Sequence, residues 1–190
     1  MADPKLIALG YWRSLHEPQL PDPAWFIDDT WPKPEQQQVL SYLRQGRSLL
    51  SFMGYSWCRF RCGAGYAEMG ADDLTDGTYI WPEGLAHYVE QHQLRLPDQA
   101  VQHILAQAEF PATQAAAISK LSEPSYDWWV TQRGWRPTAS SFISDNEEAE
   151  RGYLRNYERN GIAFHDFSEA AHQAREQLAA SLRQKYHPLQ

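Results

Sequence analysis

The sequence predicts an α+β fold: a small antiparallel sheet formed mainly by the first half, packed by helices of the second half. Three observations carry this reading. Short apolar or alternating runs bounded by Gly, Pro and Asp cluster before residue 97. Helical apolar spacing dominates after Pro97. Strands followed by helices, rather than strands alternating with helices, argue against a parallel, doubly wound sheet. At 190 residues, one domain is expected over 1–190, with a strand-rich part (1–97) and a mainly helical part (98–190).

Taken in order, KLIALGYW (5–12) reads as a first strand. Pro18, Pro21, Pro23, Pro32 and Pro34 then exclude helix or central strand, because each removes a backbone donor and fixes φ. Trp25, Phe26 and Trp31 punctuate this extended loop and pin it to the body. A helix is predicted over 34–45, with Pro34 in its first turn, Gly46 just past its end, and Val39, Leu40 and Leu43 on its apolar face. RSLLSFM (47–53) and YSWCRF (55–60) read as strands joined at Gly54. Asp76-Gly77 is a turn signal, followed by a short strand over 78–81. Pro82 opens a helix running through His92, buried along Leu85 and Val89.

Beyond Pro97, Val101, Ile104, Leu105 and Ala108 follow the helical period, and Pro111 ends that helix. ATQAAAISKL (112–121) is a second helix. The aromatic stretch 125–137 carries no clear period, and 137–144 reads as loop or strand. Two further helices are predicted, over about 145–160 and from Ser168 to about Tyr186, the latter with a stripe of Ala171, Ala174, Leu178 and Leu182.

Composition narrows the function classes. The net charge of −7 is spread over both halves, without the basic stripe that nucleic-acid binders usually show. Arg59 and Arg61 beside Trp57 and Phe60 make only a small basic-aromatic patch. An acidic surface meets a basic protein partner. The 8 Trp, 10 Tyr and 7 Phe supply core, and also the large rigid anchors that dominate binding interfaces. The opening residues lack a basic stretch followed by an apolar run, and no apolar stretch approaches membrane-spanning length. A cytoplasmic location with no membrane partner is therefore expected.

Motifs for chemistry are sparse. Cys58 and Cys62 form C-x3-C, one residue longer than the usual zinc knuckle. His87 and His92, five residues apart on a continuous helix, would point about 140° from each other. This spacing argues against a shared ion, so neither metal nor cofactor is expected. Asp72, Asp76, Gly77 and Glu83 echo a calcium loop, but Leu74 occupies a ligand position. No nucleophile elbow, phosphate loop or dinucleotide fingerprint occurs. Were the chain a small enzyme of carboxylate, His and Cys chemistry, its candidate catalytic residues would be Asp76, Glu83, His87 and Cys58.

GYSWCRFRCG (54–63) and LTDGTYIWPEGLAHYVEQHQLRLP (74–97), together with GYWRS (10–14) and LPDP (20–23), resemble a pattern shared by a group of small bacterial cytosolic proteins. Cys62 falls one residue later than in that pattern. The resemblance carries no activity with it. By type, a small, acidic, aromatic-rich protein of this kind is similar to immunity proteins, which neutralise a toxin by direct binding. The expectation is thus a protein-binding module facing a basic toxin or effector, with no nucleic-acid partner. Trp25, Trp31, Asp72, Asp73, Trp128 and Trp129 are its candidate contact residues. A regulatory or structural subunit of an oligomer is the remaining alternative, and the oligomeric state is left open.

Overall fold

In a computed structural model, residues 5–14, 17–60, 62, 64, 66–107, 109–118, 122–139 and 141 are described, with 169–170, 173–174 and 177 near the end of the chain. Five strands form one sheet: β1 (Leu6–Ala8), β2 (Arg47–Ser51), β3 (Asp72–Thr75), β4 (Tyr79–Pro82) and β5 (Pro124–Ser125), in the spatial order β2-β3-β4-β1-β5. The α+β class holds, but the sheet is mixed. β2, β3 and β4 are antiparallel neighbours, whereas β1 runs parallel to both β4 and β5. The apolar run at the start of the chain pairs with strands about 70 and about 120 residues away, and a run of side-chain types does not encode that direction. β5 is two residues long and begins with Pro124, and proline is tolerated there because β5 is the sheet edge.

The helices are α1 (Lys33–Leu43), the short α2 (Tyr66–Met69), α3 (Leu85–Gln91), α4 (Asp98–Ala106) and α5 (Ala112–Ala116). Pro34 sits in the first turn of α1, as its missing N–H allows. Val39, Leu40 and Leu43 face the core, and α1 packs against α3 and α4. Gln36, buried on the same face, donates from Nε2 to the Val89 carbonyl at 2.6 Å and ties α1 to α3. The helices expected at 145–160 and 168–186 fall largely outside the described residues; 169–170, 173–174 and 177 are helical.

One aromatic cluster sits at the centre of the core. Trp12 packs on Phe26, Tyr88 and Trp129 at centroid distances of 5.5, 5.5 and 5.2 Å, and Phe26 stacks on Trp129 at 5.4 Å. Such offset and edge-on pairs add to the area they bury. Two expected contact residues, Trp31 and Trp129, are absorbed into the core, Trp129 in this cluster: both are buried, with indole N–H groups donating to Glu35 and to the Tyr11 carbonyl.

The β3–β4 connection is the turn that Thr75-Asp76-Gly77 signals. Gly77 adopts φ +93°, open to glycine and strained for other residues. Asp76 Oδ1 accepts from the backbone N–H of Thr78 at 2.8 Å and of Tyr79 at 2.6 Å. β3 itself, with two aspartates, does not resemble a strand by composition. It is held by its neighbours, β2 through a register shift between Ser48 and Leu50, and β4 on the other side. The segment 55–60, expected as a strand, is loop. Its alternation of large side chains serves contacts with α3 rather than a ladder.

Candidate functional site

Two features meet along this loop. The first is a cleft of about 330 Å³ between the loop, the residues that follow β1 and the start of β3. Tyr11, Trp12, Tyr88 and Tyr126 line it from the body; Phe52, Tyr55 and Trp57 line it from the loop. Its charged lining is Glu17, Asp72 and Asp73 against Arg59. The Arg59 guanidinium already lies over the Trp57 ring, 3.9 Å from its centroid, a cation on a π-face. Phe52 and Tyr55 of the lining are exposed, as is Met53 beside them in the chain; they are three of the five large exposed hydrophobics among the described residues.

The two aspartates differ in environment. Asp73 is buried, and burial pushes its carboxyl pKa up. Asp72 is solvent-facing, and hydrogen bonds from Ser48 and then Ser51 hold it below the usual carboxylate range. Burial, reinforced by the neighbouring Asp73 charge, pushes the Tyr11 phenol up as well.

The second feature lies behind the loop. Cys58 Sγ is 3.2 Å from His92 Nε2, Cys62 Sγ is 3.2 Å from His87 Nε2, and the two Nε2 atoms are 3.3 Å apart. One donor atom from each residue lies within 4.8 Å of the other three. The helix explains how the histidines meet. α3 ends at Gln91, and His92 follows at φ −116°, ψ 7°, outside helical geometry. Its ring therefore departs from the 140° separation of a continuous helix and turns back on His87. The expectation that these residues stay apart is corrected here: spacing on an uninterrupted helix does not apply across a helix end. Around the four, Phe60 packs on His92 at 4.5 Å, and Tyr88 Oη accepts from the Arg59 N–H at 2.8 Å. Burial pushes the Cys58 thiol up; Cys62 is pulled down by its hydrogen bond with Cys58 and by those with His87 and His92.

Of the four candidate catalytic residues, Cys58 and His87 belong to this cluster, and Asp76 and Glu83 do not. Asp76 is spent in its turn, and its Oδ2 also lies 2.9 Å from both the Tyr42 hydroxyl and His103 Nε2. Glu83 accepts from the Ala71 N–H at 3.1 Å and fixes the approach to β3. Of the candidate contact residues, Asp72 and Asp73 line the cleft. Trp25 and Trp128 are half-buried: the Trp25 indole donates to the Ala139 carbonyl, and Trp128 packs edge-on to Tyr79. Sequence reasoning missed Tyr11, Tyr55, Trp57, Tyr126 and Glu17 as a set. The run of exposed aromatics just before Cys58 was the available signal.

No protein-family model, no curated protein and no solved structure matches this chain. Among the described residues no helix is long and apolar enough to cross a membrane.

Proposed function

We propose that this chain is a cytoplasmic protein-binding module of the immunity type, which neutralises a toxin or effector by taking a basic side chain of that partner into the cleft. The observation that carries the reading is the lining: Glu17, Asp72 and a buried Asp73 set against seven aromatic rings. A buried carboxylate is costly without a counter-charge, and aromatic faces attract cations. An arginine or lysine from a partner supplies that charge and stacks on those faces. The exposed Phe52 and Tyr55 provide apolar contact area around the charged centre. The net charge of −7 favours a basic protein over nucleic acid and speeds its approach.

The test is affinity capture with the wild-type chain and with Asp73→Asn and Tyr55→Ala baits, from cells that express it. A stoichiometric basic protein held by the wild type and lost from both variants supports the reading. Its association should also slow steeply with added salt. Identical capture profiles for all three baits refute it.

A further inference from the structure

We propose that Cys58, Cys62, His87 and His92 bind one Zn²⁺ in a closed tetrahedral site that fastens the loop between β2 and α2 to α3. With Zn–S near 2.3 Å and Zn–N near 2.0–2.1 Å, tetrahedral geometry places S···N edges at about 3.5 Å and N···N edges at about 3.3 Å. The three separations of 3.2, 3.2 and 3.3 Å lie close to those edges without any ion in place. Two sulfurs and two imidazole nitrogens are the donor set that selects zinc over the hard, oxygen-seeking Mg²⁺ and Ca²⁺.

Tautomer logic points the same way. His87 Nδ1 lies 3.5 Å from Glu68 Oε2, an approach of negative charge that favours the tautomer with its proton on Nδ1. Nε2 is then a lone pair directed into the cluster, where it faces the Nε2 of His92. A cation among these two ring nitrogens and two sulfurs, all within 4.8 Å of one another, would take a lone pair from each. Both cysteines ligate as thiolates, so a proton still held on either sulfur leaves as the ion enters.

Loop length supplies a second, independent reason. The fourteen residues 52–65 separate β2 from α2, and the described ones form neither helix nor strand. Their backbone is anchored by Phe52 N–H to the Ala71 carbonyl, Ser56 N–H to the Gly70 carbonyl, and Arg59 N–H to the Tyr88 hydroxyl. A loop this long without secondary structure is uncommon unless something clips it. Four protein ligands leave no open position for a substrate or water, so the role is structural. This site stands whether or not the cleft binds a partner, since none of the four side chains depends on one.

The experiment uses the full chain, purified without a histidine tag or chelator. Expected are one zinc per chain by elemental analysis and, after exchange to Co²⁺, the intense visible bands of tetrahedral cobalt with near-ultraviolet thiolate charge transfer. Zn²⁺ should displace the cobalt one for one. Cys62→Ser should lose most of the charge-transfer intensity. Glu68→Gln, at an exposed side chain, should fold normally and weaken metal affinity about 10-fold through the His87 tautomer. The proposal is overturned by a protein that folds metal-free and gives no cobalt charge transfer, by the weak pink spectrum of octahedral cobalt, or by full zinc retention in a Cys62→Ser/His92→Ala chain.

Discussion

Asp76→Ala should be among the most damaging single changes in the chain, although Asp76 faces no ligand. The carboxylate is buried and serves four groups: the N–H of Thr78 and of Tyr79 at Oδ1, the Tyr42 hydroxyl and His103 Nε2 at Oδ2. Thr78 and His103 are only partly buried and recover water as a partner. The Tyr79 N–H and the Tyr42 hydroxyl belong to buried residues and do not. Two stranded polar groups at about 1–3 kcal/mol each give about 2–6 kcal/mol. That is a large part of a typical stability of about 5–15 kcal/mol. Asp76→Asn keeps an acceptor oxygen for both backbone donors and should cost about 1–2 kcal/mol, mostly at Tyr42 and His103. Urea unfolding followed by tryptophan fluorescence reads both values from the midpoints at a common slope. An alanine variant within about 1 kcal/mol of wild type, or an asparagine variant as damaged as alanine, would refute the assignment of Asp76 to the turn.

Two further outcomes follow from the burial pattern. Asp73 has its folded pKa raised by burial, so the folded chain holds this proton more tightly than the unfolded chain. Its contribution to stability is full below the unfolded carboxylate value, near pH 4, and is lost as pH rises through the folded value. Asp73→Asn should therefore gain stability relative to wild type as pH rises through that window; a variant that loses stability relative to wild type over the same window would contradict the sign. Trp129→Ala should cost about 3–5 kcal/mol as a core cavity, and Trp128→Ala, half-buried beside it, should cost clearly less by the same urea assay.

How much was legible in the sequence depends on whether the information was local. α1, α3 and α4 announce themselves by apolar spacing, and α1 and α4 also by Pro34 and Pro97; Pro82, expected to open α3, instead ends β4, paired with Asp73, and α3 begins at Leu85. The turn at Asp76-Gly77 follows from residue chemistry alone. β3 was missed because Asp72 and Asp73 suit a strand poorly, and it is the pairing with β2 and β4 that holds them extended. The 55–60 segment was misread because large side chains alternate equally well along a loop that inserts Cys58 and Phe60 beneath itself. The Cys-His cluster was hidden by one assumption, that α3 continues through His92. Stopping one residue earlier reverses the conclusion.

β1 also has a consequence for how the chain is made. It leaves the ribosome before the other four strands, yet Ile7 and Ala8 must wait for Tyr79 and Ile80, and Leu6 for Pro124. At about 5–20 residues per second, the gap between Leu6 and Pro124 is about 6–24 s of synthesis. Throughout that interval a short apolar strand destined for the interior has one or both edges unpaired. The sheet is therefore completed only after its last edge strand, β5, has emerged, rather than in step with translation.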